Sequence, residues 1–181
     1  IIIGGVMCCL FGTQILFNSQ LQNDSFSVCL IPSDGSGKSK EIYHSTERTE
    51  PTSWSRDGKY VLFNRGNIGA TDIWVLPVAE PAKAFSYIAS PAMDTSGQFS
   101  PDGRWVVYSV TEPSYEPDKA VSDLWLVAAD GSAPPRRLTN TKGGEGGVAW
   151  SPNSKAIAFT AKREGDDADQ IYVLEIGGGE A

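Results

Sequence analysis

This 181-residue chain has a single histidine, three cysteines and two methionines. Each scarcity excludes something. A serine hydrolase needs a base beside its nucleophile, usually histidine, and an acid to orient it. His44 is alone and sits in the run EIYHS, where it reads as a plain strand residue. No G-x-S-x-G elbow and no zinc-protease helix motif occurs. Three cysteines cannot complete a disulfide set, and none has zinc spacing. Cys8-Cys9 reads as a pair of small core residues. No metal, cofactor or catalytic constellation is expected within the chain. Gly37-Lys38-Ser39 resembles the end of a phosphate loop, but Pro32 stands where the first glycine is required. Gly143 to Gly147 has the wrong spacing for a dinucleotide fingerprint.

Positive charge is also scarce. The net charge is −7, and no basic cluster exceeds Arg136-Arg137. This argues against nucleic acid or an anionic membrane as a partner. No long hydrophobic run exists either. The opening IIIGGVMCCLFG is about 12 residues and holds two glycines, too short to span a bilayer. It lacks the charged start of a signal peptide and an initiator methionine. It reads as buried strand material from a chain cut out of something longer. Asn23-Asp24-Ser25 fits the glycosylation acceptor pattern, a triplet common by chance. Acidic charge and an odd cysteine count fit cytoplasm and periplasm alike.

What is present is a repeat. The stretch FSPDGRWVVY, Phe99 to Tyr108, is a strand end, a tight turn and a second strand. It returns as WSRDGKYVLF from Trp54 and as WSPNSKAIAF from Trp150. A worn copy, CCLFGTQILF, begins at Cys8. A further apolar run follows each copy: FSVCLI from Phe26, DIWVL from Asp72, DLWLV from Asp123 and QIYVL from Gln170. A fourth run closes three of the units, at Glu41 to His44, Ala84 to Ile88 and Arg136 to Thr139. No window shows the 3.6-residue period of a helix.

The expected fold is therefore all-β. Near-continuous apolar third strands should be covered on both faces rather than on one. Four-stranded sheets repeating at about 45 residues and stacked face to face make a β-propeller. The expected blades are residues 5–45, 50–90, 96–140 and an incomplete 147–181. That is about three full blades plus a partial one, a fragment of a larger propeller. A plain β-sandwich is the rival, but it leaves the recurring cassette unexplained. A four-bladed ring would need Ile1 to Ile3 to supply the missing last strand. Rings recurring at Trp54, Phe99 and Trp150, and at Trp74, Trp125 and Tyr172, suit packing between blades.

Two second-to-third-strand loops stand out. Thr111 to Val121 is long and holds Tyr115; Lys162 to Asp169 is acidic. Loops on a rigid scaffold often carry binding, although a solvated connector is the plainer reading of both. Asp166, Asp167 and Asp169 do not match a calcium-loop pattern. Asp57 and Asp102 are expected to bond their own turn backbone.

These cassettes resemble the TolB-type, WD-like (PD40) propeller repeats, well over residues 50 to 181 and weakly over 5 to 45. Residues 100 to 181 look like the N-terminal propeller of prolyl oligopeptidase family serine peptidases, including dipeptidyl and acylaminoacyl peptidases. Residues 50 to 105 resemble instead the propeller attached to some bacterial serine/threonine kinases. The first resemblance implies a non-catalytic propeller that filters and positions peptides for a hydrolase domain absent from this chain. Glu112, Tyr115 and Glu116 are its candidate substrate contacts, as carboxylates that pair with a peptide's ammonium group. The second implies a scaffold that binds a protein partner. Asn153-Ser154 replaces the Asp-Gly turn in the last cassette and is expected to weaken that hairpin.

Overall fold

The computed structural model describes residues 2–8, 12–21, 25–67, 69–112, 121–141 and 143–177, with backbone alone for 2–8 and 21. Fifteen strands make four antiparallel sheets, each in sequential order. The first sheet holds β1 (Ile2–Cys8), β2 (Gln14–Leu21), β3 (Ser25–Pro32) and β4 (Lys40–Ser45). The second holds β5 (Thr49–Trp54), β6 (Tyr60–Asn67), β7 (Ala70–Pro77) and β8 (Phe85–Ile88). The third holds β9 (Met93–Phe99), β10 (Trp105–Glu112), β11 (Val121–Ala128) and β12 (Arg136–Arg137). The fourth has three strands, β13 (Glu145–Trp150), β14 (Ala156–Ala161) and β15 (Gln170–Glu175). The only helical element among the described residues is a 3-10 turn at Pro81–Lys83. Ile2 and Ile3 pair with Gln20 and Ser19 in the first sheet, so they do not supply a fourth strand to the last one.

The chain divides into two compact units, Ile1–Gln98 and Phe99–Ala181. In the first, Leu16, Val28 and Leu30 of the first sheet pack with Val61, Phe63 and Leu76 of the second. Trp54 and Trp74 lie against this cluster. Phe63 stacks obliquely on Tyr43 at 5.0 Å between ring centroids. In the second unit, Val107, Leu124, Leu126 and Leu138 pack with Ile157, Phe159, Ala161 and Ile176, flanked by Trp105, Trp150 and Tyr172. Sheet packs on sheet through recurring large rings, which is why the third strands read as unbroken apolar runs.

Strand β15 departs from that expectation. Ile171 is 76% exposed and Val173 71%, whereas their counterparts Ile73, Val75, Leu124 and Leu126 are buried. The physical reason is positional. Leu124 and Leu126 are covered by Ile157 and Phe159 of the next sheet, and Ile73 lies against Gly97 of β9, whereas no described sheet packs on the face of the last sheet that holds Ile171 and Val173.

The repeated turn is built by side chains. In the second sheet the Ser55 hydroxyl donates to Asp57 Oδ1 at 2.7 Å and accepts from Tyr60 N at 2.9 Å. Asp57 Oδ1 also accepts from Lys59 N at 3.1 Å. Ser100, Asp102, Arg104 and Trp105 repeat this at 2.6, 3.1 and 3.0 Å. Ser151, Asn153, Lys155 and Ala156 repeat it again at 2.8, 3.1 and 2.9 Å. Asp57 and Asp102 thus bond their own turns as expected. The last turn keeps the same geometry despite Asn153-Ser154. Ser154 takes the left-handed conformation, φ 61°, that Gly58 and Gly103 occupy in the other two. Its hydroxyl accepts from Asp102 N at 3.0 Å.

The first strands of the second and fourth sheets are bulged. Register shifts fall between Pro51 and Ser53 in β5 and between Gly146 and Ala149 in β13. Ser96 and Gly147, each three residues before the cassette aromatic, have φ of 59° and 60°. A bulge adds a residue and bends the strand locally.

Candidate functional site

Antiparallel order sets what can meet. Second-to-third-strand loops lie at one end of each sheet, together with the connections leading to the next sheet. The cassette turns lie at the other end. The buried acids Asp94 and Glu145, near the starts of β9 and β13, stand at the first of these ends.

Five residues before each cassette aromatic stands a buried polar residue: Thr49, Asp94 and Glu145. Glu145 accepts from the hydroxyls of Thr139, at 2.7 Å, and Thr141. Thr139 in turn accepts from Leu124 N at 2.9 Å, so the acid anchors the incoming connection to the third sheet's β11. Asp94 accepts from Ser90 N at 2.7 Å, the same role one sheet earlier. Its other oxygen is buried without a partner. Burial pushes the Asp94 carboxyl up from its ordinary value; the Ser90 contacts oppose this, and the charge on Asp72 adds to it. Asp72 is itself raised, by burial and then by Glu47.

Arg65 is fixed beside this group. Its Nε donates to Glu47 at 2.7 Å and its Nη1 to Tyr43 Oη at 3.0 Å. Its guanidinium lies 4.2 Å from the Trp74 ring centroid. A second arginine stacks in the same way in the last sheet: Arg163 lies 4.1 Å from the Tyr172 ring. Asp166 accepts from Tyr172 Oη at 2.6 Å and from Arg163 N at 2.9 Å. The acidic 162–169 loop is therefore closed on its own sheet through Asp166. Among the described residues no group of three acidic, histidine or cysteine side chains could hold a metal.

Beside these buried groups, on the first unit, is an open cleft of about 210 Å³. Arg48 just before β5, Glu50 from β5, Asn64, Gly66 and Asn67 from β6, Thr71 from β7, and Met93 and Thr95 from β9 line it. Gly66 makes the cleft possible. It sits at φ 140°, and a Cβ there would lie 2.1 Å from Ala70 O. Its N–H donates to Arg48 O at 3.1 Å, tying the tight β6–β7 connection to β5. Asn64 Oδ1 accepts from Ser96 N at 3.1 Å. Asn18, one sheet earlier, donates from its amide to Thr49 O at 3.1 Å.

Of the candidate contacts from sequence, Glu112 ends β10 opposite Val121 and is exposed. Tyr115 and Glu116 lie outside the described residues. His44 stands on β4, as expected, but it has company. Its Nε2 is 3.4 Å from Ser25 Oγ, its Nδ1 3.4 Å from Ser27 Oγ and 3.6 Å from Glu41 Oε2. Ser27 donates to Glu41. These contacts tie β3 to β4 across an open sheet surface. Sequence reasoning passed over the buried Thr49, Asp94 and Glu145 and the cleft. The first series was findable, because a polar residue recurs at one fixed offset from the cassette aromatic. The cleft was not, because its lining comes from four strands and depends on the Gly66 backbone.

Repeated antiparallel sheets of three or four strands, joined by hairpins and packed through aromatic rings, define β-propeller blades. A family model described as "PD40: TolB beta propeller domain" matches residues 6–181. The chain belongs to that family. It is 38% identical over 66 residues to dipeptidyl-peptidase 5 of Porphyromonas gingivalis, covering 36% of this chain and 10% of that protein. It is 34% identical over 93 residues to the uncharacterized peptidase YuxL of Bacillus subtilis, covering 48% and 13%. The chain thus spans about a tenth of the curated relatives it matches. Among solved structures, TolB from Acinetobacter baumannii superposes with a TM-score of 0.76 at 19% identity, over 98% of this chain and 42% of that one. A prolyl endopeptidase superposes with a TM-score of 0.70 at 15% identity, over 98% and 27%. At these identities the superpositions speak to fold alone.

Proposed function

We propose that this chain is the non-catalytic propeller portion of a prolyl oligopeptidase family serine peptidase. It gates and positions peptides for a hydrolase domain outside this sequence. The observation that carries this reading is the sequence identity to dipeptidyl-peptidase 5, together with that to the peptidase YuxL. Glu112, Tyr115 and Glu116 are proposed to receive the peptide's amino terminus. Glu112 stands exposed at a strand end, and a carboxylate there can pair with an ammonium group.

The test uses the full-length protein and dipeptidyl anilide substrates. Glu112→Gln with Glu116→Gln should raise KM about tenfold for peptides with a free amino terminus, the equivalent of one lost charged contact. It should leave kcat and N-acetylated substrates unchanged. A full-length protein that turns over no peptide, or a double variant with unaltered KM, overturns the reading. The TolB-like interaction scaffold, free-standing or attached to a bacterial serine/threonine kinase, is the second reading, supported by the match of residues 6–181 to the TolB beta propeller family. It expects a full-length frame with further propeller repeats and no G-x-S-x-G elbow.

A further inference from the structure

The cleft on the first unit is rich in donors. Arg48 is exposed, and its guanidinium has Glu50 as its one charged neighbour among the described residues, at 4.0 Å. Asn64 uses its amide oxygen to accept from Ser96 N, so its NH2 is the group with donors to offer. Thr95 and the Asn67 amide add further donors. Among the described residues of the lining the only acidic side chain is Glu50. Such a set asks for an acceptor, and a planar one suits a guanidinium fork with flanking amides.

Charge and size narrow the ligand. Arg48 and Glu50 together are neutral, and the whole chain carries −7. A doubly charged phosphate would be repelled by that field, while a single carboxylate needs only the Arg48 charge. The cleft's 210 Å³ lies below the roughly 300–1,000 Å³ of sites that swallow a drug-sized molecule. It holds the end of a longer ligand rather than all of it. Met93 offers one apolar wall for a terminal side chain.

We infer that this cleft binds the C-terminal carboxylate of a peptide, with Arg48 as the charged anchor and Asn64 and Thr95 as flanking donors. The site follows from the lining; the peptide as ligand rests on the function proposed above. Glu50, 4.0 Å from Arg48, is the neighbour that an incoming carboxylate would replace, and an exposed pair at that distance resists replacement little.

Calorimetric titration of the full-length protein tests this without requiring turnover. The probe is an N-acetylated tripeptide with N-methylated amide bonds, supplied as the free acid and as its carboxamide. The free acid should bind at least tenfold more tightly than the amide. Arg48→Gln should abolish that difference, Arg48→Lys should restore part of it, and Glu50→Gln should keep or strengthen acid binding. Inorganic phosphate should compete weakly. Equal binding of acid and amide, an Arg48→Gln variant that still discriminates, or phosphate competing as well as the acid overturns the assignment. No binding of either probe at millimolar concentration also overturns it. Because the readout is binding, a full-length protein without peptidase activity would remove the function proposed above yet leave this result standing.

Discussion

Ser100 is the residue on which the third sheet's turn depends. Its buried hydroxyl donates to Asp102 at 2.6 Å and accepts from Trp105 N at 3.0 Å. Ser100→Ala removes both bonds and leaves the Trp105 amide unserved at a strand start. Arg104 N still reaches Asp102, so the carboxylate keeps one donor. A neutral bond contributes about 1 kcal/mol and one to a charged group somewhat more, giving a loss of about 2 kcal/mol after relaxation. For a chain of this size that lowers Tm by about 4–8 °C. Ser151→Ala breaks the same pair of bonds around neutral Asn153 and should cost about 1 kcal/mol. The pH dependence separates the two. Burial raises the Asp102 carboxyl, but the Ser100 hydroxyl, Arg104 N–H and Ser154 together hold it below its ordinary value. A carboxyl depressed in the fold adds stability above its unfolded pKa of about 3.9, lost as pH falls through the folded value. The gap between wild type and Ser100→Ala should therefore narrow below about pH 4, while the Ser151→Ala gap stays flat. Thermal denaturation from pH 7 to pH 3 measures both. A Ser100→Ala loss under 0.5 kcal/mol, or one smaller than that of Ser151→Ala, would refute the hydroxyl-relay account of the cassette.

Other outcomes follow from the same geometry. Ser154→Gly should be about 1 kcal/mol more stable than Ser154→Ala in urea titration, because both lose the Asp102 N contact but only glycine sheds the left-handed strain at φ 61°. Gly66→Ala should cost about 3 kcal/mol or prevent folding, since its Cβ would lie 2.1 Å from Ala70 O. Phe63→Ala should cost about 3–5 kcal/mol in the same assay, the usual loss for a fully buried ring. Asp94→Asn should flatten the pH profile above about pH 4. A carboxyl raised by burial binds more protons folded than unfolded, so wild-type stability declines as pH rises from its unfolded toward its folded value.

The cassette made the architecture legible because turn chemistry is local. Ser55 to Tyr60 contains every atom that closes its hairpin, and the aromatic-to-aliphatic pattern around it names the strands. At Asn153-Ser154 the letters change but the geometry does not, since an asparagine oxygen accepts the same two bonds and Ser154 takes the positive φ; the weaker hairpin expected there is what the Ser151 and Ser154 variants measure. What sequence could not show depends on distant partners. QIYVL reads like DLWLV, but nothing in those letters says that the face holding Ile171 and Val173 lies in water while that of Leu124 and Leu126 is covered by the next sheet. Burial of Asp94 and Glu145 was likewise hidden, since an acid before an apolar strand reads as surface until Ser90 or Thr139 is placed on it. Of the proposed amino-terminal contacts, only Glu112 falls among the described residues, so the geometry of that trio is left to the kinetic test above.

The self-closing turn has a consequence for how such chains change over time. Each hairpin carries its own fastening within six residues, and each aromatic supplies a socket for whatever sheet comes next. A unit of about 45 residues can then be duplicated, lost or exchanged without redesigning its neighbours, because the join asks only for a ring and a greasy strand. Lineages built this way can lengthen or shorten their circumference while the surface loops drift toward new ligands.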